Sequence, residues 1–260
     1  MQGVLAQYPE DLVLLMIHHN VLPHLPDQGE HPLGQRYLLA NSGELLERLP
    51  PQQVPLIFTG HLHVQGIAPE VPPSPGFTAQ DLAAQDLDAQ DLAAQDLPAH
   101  DLAAQDLAAR NLPAQGVAPQ SDRPPRWEIT TGSLVSFPHP YRIAHLRWDP
   151  QGEKSLTVES PRIEALPQWP QLQDLSRQWM ADRSDPFMGR LLTGAPLNLS
   201  ETEAQPLLPD LRYFWGAVAN GDPQVSFPHF PKVAREFFHR FNHPSDRPSA
   251  NQAKLPLGIR

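Results

Sequence analysis

The chain has no cysteine among its 260 residues. Disulfide bonds and thiolate metal sites are therefore excluded, and any metal ion must be held by His, Asp, Glu or Asn side chains. Positive charge is also scarce, since 19 Lys and Arg stand against 29 Asp and Glu and give a formal net charge of −10. Nucleic acids and anionic membranes bind basic surfaces, so we expect neither as a partner.

Long apolar runs are missing as well. The most apolar run, residues 12–17, has six residues, whereas a membrane-spanning helix needs about 20. A secretory signal begins with a basic segment followed by an apolar one. The first nine residues of this chain contain neither segment. We therefore expect a soluble, cytoplasmic protein.

Proline, by contrast, is abundant, with 32 residues, and one part of the chain differs in composition from the rest. Residues 78–115 contain seven Asp and one Arg, a charge of −6, which leaves −10 − (−6) = −4 for the remainder. A five-residue repeat close to Ala-x-Gln-Asp-Leu runs through this stretch. Its leucines fall at positions 82, 87, 92, 97, 102, 107 and 112. The composition predicts a low-complexity insert over 67–125.

The period of the repeat restricts what the insert can form. On a helix, five residues rotate each leucine by about 140°, so the leucines make no apolar stripe. The square β-helix of pentapeptide-repeat proteins has this period, but it needs a small residue two places before the central leucine, where this chain has Gln, His or Arg. We therefore favour a disordered insert, with a helix and a solenoid as the alternatives.

Outside the insert, the pattern of apolar residues indicates an α/β fold. Residues 11–17 and 54–59 are predicted to be buried strands, and residues 33–49 between them have helical spacing. This order of strand, helix and strand is a βαβ unit. Further strands and then helices are predicted at 126–131, 141–148, 156–160, 168–182, 209–219 and 231–242. The last of these lie in a Pro-punctuated, aromatic-rich tail, with enough apolar surface to pack on the core or on a partner.

Histidines follow both strands of the βαβ unit. His18 and His19 come after the first strand, and Gly60-His61-Leu62-His63 comes after the second. Open α/β sheets build their sites at the carboxyl ends of their strands. The glycine lets the backbone turn tightly, and neutral imidazole is a good ligand for Zn, Fe, Mn and Ni. The pattern therefore predicts a metal site at this end of the sheet.

These segments resemble a known family. Residues 16–20 (Met-Ile-His-His-Asn) and 59–64 (Thr-Gly-His-Leu-His-Val) resemble the fourth and fifth motifs of calcineurin-like metallophosphoesterases. Residues 128–141 are similar to the strand and loop that follow in one bacterial branch, so the resemblance covers roughly 10–66 and 126–160. It implies half of a two-sheet αββα sandwich, with core parts at 1–66 and 126–165 and a helical extension at 166–260.

The resemblance also implies roles for individual residues. His18, His61 and His63 match metal ligands of the family. His19 is a candidate catalytic or substrate-facing residue, while Asn20 and His139 are candidates for binding the substrate. The implied reaction is hydrolysis of a phosphoester, in a small molecule or a phosphoprotein, at a centre of two divalent or trivalent ions (Mn, Fe, Zn or Ni).

The family's first three motifs have no counterpart here. Asp-x-His, Gly-Asp-x-x-Asp and Gly-Asn-His-Asp/Glu occur nowhere in the sequence. We therefore expect an N-terminally truncated member, inactive unless a complementing N-terminal half supplies the bridging carboxylate. The alternatives are a non-catalytic interaction or scaffold protein derived from the family, and a single-metal Zn or Ni storage site.

Overall fold

The computed structural model describes residues 2–26, 28, 32–70, 125–245 and 247–257. Residues 71–124, which contain the whole repeat, lie outside the described residues. The disordered, helical and solenoid alternatives for the insert therefore stay predictions. Residues 66–69 form a strand of the core, so the core sheet extends a few residues beyond the predicted start of the insert at 67.

The first sheet confirms the predicted α/β class. Its strands are β1 (Leu14–Met16), β2 (Leu56–Thr59), β3 (Gly66–Pro69) and β4 (Trp127–Thr130), in the order β1-β2-β4-β3. Strands β1, β2 and β4 are parallel, and β3 runs antiparallel to β4. In the described part of the chain, three short helices lie before or between these strands, namely α1 (Gln2–Gln7), α2 (Pro32–Gln35) and α3 (Ser42–Arg48).

Two of the elements predicted around the first sheet differ from the structure. The first strand is shorter than 11–17 and is not buried on both faces: within the described ranges it pairs only with β2, and its Leu14 and Met16 are 47% and 78% exposed. The cause is its position at the end of the sheet, which an apolar run cannot reveal. The helix predicted over 33–49 is two short helices, because the chain between α2 and α3 turns to pair Asn20 with Leu38.

A second, antiparallel sheet packs against the first. It consists of β5 (Ile143–Trp148), β6 (Lys154–Glu159) and β7 (Gln252–Pro256), in the order β5-β6-β7. Buried apolar side chains of both sheets share one core, formed by Leu56, Ile67, Trp127, Ile129, Leu156, Val158, Ala253, Leu255 and Leu257. The chain's last described strand thus returns to the sheet that follows the insert.

The tail is helical, as predicted, and it packs on the core. Its elements are α4 (Leu172–Thr193), α5 (Glu201–Ala204), a 3₁₀ turn (Gln205–Leu207), α6 (Leu208–Leu211), α7 (Phe214–Ala219) and α8 (Lys232–His239). Their aromatic core, which includes Phe214 and Phe238, also contains Leu62 and Val64. The helical tail therefore packs against the second histidine segment, residues 60–64, and supports it. None of the helices in the described ranges is long and apolar enough to cross a membrane.

The two ends of the insert meet at a strand pair, which predicts how removable it is. Pro69 of β3 pairs with Trp127 of β4, and the amide of Glu70 donates to the carbonyl of Arg126 at 2.7 Å. Replacing residues 72–124 by Asn-Gly should therefore close an ordinary hairpin loop and leave the fold intact. We expect the far-ultraviolet circular dichroism spectrum to keep the helix and strand signals of the core, and we expect unfolding to stay cooperative. Loss of folded expression would contradict this prediction.

Candidate metal-binding site

The backbone joins the two histidine segments directly. His18 follows β1 and Gly60 follows β2, and these neighbouring parallel strands end at the same edge of the sheet. The carbonyl oxygen of His18 accepts hydrogen bonds from the amides of Gly60 (3.2 Å) and His61 (3.0 Å). The predicted meeting of both segments at the carboxyl end of the sheet is therefore what the structure contains.

Three of the predicted histidines form one cluster. The ring of His61 lies 4.6 Å from the ring of His18 and 4.2 Å from that of His19, measured between centroids, and the His18 and His19 rings lie 5.3 Å apart. The ring of Tyr37 is a fourth aromatic ring beside the cluster, and its centroid lies 5.3 Å from that of His61. His18 is exposed while His19 and His61 are half-buried, so the cluster is open to solvent.

The cluster favours uncharged imidazole at its centre. Burial, followed by the proximity of His19, His18 and His63, lowers the pKa of His61 below its usual value of 6.5. In addition, Nδ1 of His61 lies 2.8 Å from Nε2 of His18, a ring-to-ring hydrogen bond in which one nitrogen must accept. A neutral ring is the form in which histidine binds a metal ion.

The second segment alternates between the tail and the solvent. Leu62 and Val64 are buried in the aromatic core of the tail, whereas His63 between them is exposed. His63 has a φ of 58°, an uncommon conformation for a residue with a side chain. Leu62 and Val64 thus fix this segment while His61 and His63 stay at the surface.

The described donors support at most one ion. Two imidazole nitrogens bound tetrahedrally to one Zn²⁺ at about 2.0–2.1 Å lie roughly 3.3 Å apart, so the nitrogens of His18 and His61, now 2.8 Å apart in their hydrogen bond, would have to move apart to share an ion. Among the described residues, the charged groups that act on His61 are all histidines. Within the described ranges, no group of three or more His, Asp or Glu side chains is arranged to hold a metal ion. The described residues therefore form no complete site as they stand, and they do not fit a centre of two ions, which needs a bridging carboxylate.

Asn20 lies beside the cluster but faces the interior. It is fully buried, and its amide nitrogen donates to Thr59 Oγ1 at 2.8 Å and to Glu128 Oε1 at 2.7 Å. Asn20, a candidate for binding the substrate, therefore uses its amide nitrogen inside the protein. The role of Asn20 in this arrangement is to connect the first histidine segment to β2 and β4.

Sequence reasoning missed the carboxylate at the centre of this network, Glu128. It is fully buried in β4. Burial alone would raise the pKa of Glu128, but the hydrogen bond and charge of His24 and the hydrogen bonds from Thr59 and Asn20 together lower that pKa below its usual value. Nε2 of His24 lies 3.3 Å from Oε1 of Glu128. The signal was a charged residue between two apolar ones, Trp127 and Ile129, in a predicted strand, since a buried charge demands polar partners.

Gly66 gives His24 the space to reach this carboxylate. A Cβ atom added at Gly66 would lie 2.5 Å from Nδ1 of the His24 ring, and a contact that short is not tolerated. The ring therefore packs closely against the backbone of β3, with its other nitrogen 3.3 Å from Oε1 of Glu128.

The loop after β4 passes near the second histidine segment without joining the cluster. The amide of Gly132 donates to Gln65 Oε1 at 3.0 Å. His139 in this loop is buried, and its Nδ1 lies 3.0 Å from the carbonyl of Leu134, so the structure places it in the turn of the loop. Tyr141, at the end of the loop, is 42% exposed.

Comparison with known proteins adds no family assignment. Neither the protein-family models nor the curated proteins include a match to this chain.

Proposed function

We propose that this chain carries the histidine half of a metal-dependent phosphoester hydrolase of the calcineurin-like metallophosphoesterase type. The supporting observation is the convergence of His18 and His61 at the ends of adjacent parallel strands, with 2.8 Å between Nε2 and Nδ1. His63, on the same loop as His61, is the third proposed ligand. The proposed ion is Mn, Fe, Zn or Ni, all of which accept imidazole.

A metal ion at this position would supply charge for the phosphoryl oxygens and lower the pKa of a bound water. The residues of this chain would hold the ion and orient the substrate. His19, whose ring lies 4.2 Å from that of His61, is the proposed residue for proton transfer or contact with the phosphoester. The substrate class is a phosphoester small molecule or a phosphoprotein.

A complementing N-terminal half is the proposed source of the bridging carboxylate and the second ion. Strand β1 offers a place for it, because within the described residues β1 pairs on one side only and exposes Leu14 and Met16. An added strand would satisfy the outer edge of β1 and cover these side chains. The two sheets with helices around them would then be the remaining part of an αββα sandwich.

Hydrolysis of a chromogenic phosphodiester and a phosphomonoester, with Mn²⁺ or Zn²⁺ added, tests this proposal. We expect the chain alone to bind the ion without hydrolysis, and any metal-dependent hydrolysis that does occur should be abolished by His61→Ala/His63→Ala. His145→Ala is the matched control, since His145 is an exposed histidine of β5, in the other sheet. Hydrolysis that survives the double substitution would contradict the proposed site. Metal binding without hydrolysis would limit the chain to the binding half.

The alternative is a non-catalytic interaction or scaffold protein derived from the same family. The observation that favours it is that no described carboxylate stands near the histidine cluster. Failure of the chain to bind any of the four metals would support this alternative.

A further inference from the structure

We propose that Glu128 is a positioning residue that fixes the two histidine segments relative to each other. This inference rests on the proposed function for its consequence, metal binding, but its structural content stands without it. Glu128 has no exposed surface, so it cannot touch a substrate and must act through the residues that it binds.

One carboxylate holds both segments at once. Its Oε2 accepts hydrogen bonds from the backbone amides of Val21 (2.9 Å) and Leu22 (2.5 Å), directly after the first histidine segment. Its Oε1 accepts from Thr59 Oγ1 at 2.7 Å, two residues before His61. The side chain of Glu128 in β4 thereby ties together the ends of β1 and β2, although β4 pairs with β2 and β3 and not with β1.

Asn20 closes the arrangement between the two segments. Its amide nitrogen lies within hydrogen-bond distance of both Glu128 and Thr59, and it stands two residues after His18. Among the described residues, every hydrogen-bond donor to Glu128, together with His24, whose Nε2 lies 3.3 Å from Oε1, therefore belongs to residues 20–24 or is Thr59. A carboxylate needed only to stabilise the core would be replaced by an apolar side chain at lower desolvation cost. The donors to Glu128 lie beside the two histidine segments, and this location indicates that Glu128 positions the histidines.

Glu128→Gln is the direct test, because it keeps the shape but places an amide group against donors. Depending on its orientation, the amide nitrogen faces the amides of Val21 and Leu22 or the side chains of Thr59 and Asn20. Arg126→Lys is the matched control: Arg126 is buried in the same part of the chain, but its guanidinium binds the carbonyls of Val54 and Leu49 at the other end of the sheet.

The readouts are the ¹⁵N–¹H imidazole signals of the metal-free protein and the affinity for Co²⁺. Glu128→Gln should shift the signals of His18, His19 and His61 and weaken Co²⁺ binding about tenfold or more, the usual loss when a residue that orients metal ligands is changed. Arg126→Lys should leave both unchanged. Unaltered imidazole signals in folded Glu128→Gln, or equal changes in Arg126→Lys, would overturn the proposal.

Two further measurements keep the outcomes separate. If Glu128→Gln does not fold, Thr59→Val, which removes one donor without a change of shape, should shift the same imidazole signals by a smaller amount. No shift in Thr59→Val would then overturn the proposal. The imidazole signals need no metal, so a chain that binds no Co²⁺ would refute the proposed function while the positioning role is still decided by these spectra.

Discussion

Replacing Arg142 by methionine is expected to lower the free energy of unfolding by about 3–5 kcal/mol, the usual cost of breaking a buried charged network. Its guanidinium donates to the carbonyls of Thr130 (2.8 Å) and Gly66 (3.3 Å) in the first sheet. It also donates to Ser160 beyond β6 and to the carbonyl of Ala250 before β7. Methionine keeps the apolar stem but leaves these four acceptors, from both sheets, without their donor.

The electrostatics of Arg142 agree with this role. Burial lowers the pKa of Arg142 to about 10, with a partial opposing effect from Asp222. Urea unfolding provides the measurement, and Arg147→Met in β5 is the control, since Arg147 is exposed and should change stability by less than about 0.5 kcal/mol. Equal losses in the two variants would contradict the role of Arg142 as the link between the sheets.

Phe238→Ala is expected to cost about 3–5 kcal/mol, the range for a buried aromatic replaced by alanine. Phe238 has no exposed surface, and its ring packs edge-on against Phe214 (5.0 Å) and Phe227 (5.7 Å). The same core contains Leu62 and Val64. The cavity that the Phe238→Ala substitution leaves should therefore also loosen the second histidine segment. We expect this loosening to appear as faster hydrogen exchange at the amide of His63.

Val233→Ala is the control for Phe238→Ala. Val233 lies on the same helix, α8, but is 43% exposed, so its substitution should change stability by no more than about 0.5 kcal/mol. Loss of stability in Phe238→Ala with unchanged exchange at His63 would separate the tail from the histidine segment.

The sequence predicts the part of the fold that depends on local pattern. Residues 54–59 are an apolar run and form the buried strand β2, whereas residues 126–131, in which Trp127, Ile129 and two threonines favour a strand, form the buried strand β4. The apolar run at 11–17 instead forms an exposed edge strand. The residues of a strand do not show how many other strands it pairs with, so its position at the edge could not be predicted. Strand β7 is missed altogether: only Ala253 and Leu255 face the core, and Lys254 stands between them.

Helix ends in the tail show the limit of a local rule. A proline normally ends a helix, and the prediction stops at 182, yet α4 continues to Thr193 with Pro186 inside it. Buried side chains on both sides of the proline, Ala181 and Met188 among them, hold the helix together by packing. Tertiary contacts here outweigh the lost backbone hydrogen bond, which a reading of the sequence cannot weigh.

The candidate site divides in a similar way. His18, His19 and His61 are predictable because parallel strands deliver their carboxyl ends to one edge. Glu128 can be recognised in the sequence as a charged residue between Trp127 and Ile129, but its partners cannot. Val21 and Leu22 contribute backbone amides from more than 100 residues away, across the insert. Backbone donors leave no trace in the type of residue that supplies them.

Titration of the metal-free chain with Co²⁺, followed by its visible absorption, tests the central claim most directly. We predict one ion per chain, with the loss of binding in His18→Ala and in His61→Ala and full binding in His145→Ala. The spectrum should show nitrogen ligation that disappears in both cluster variants. Absence of stoichiometric binding, or binding that His18→Ala and His61→Ala leave unchanged, would contradict the assignment of this cluster as a metal site.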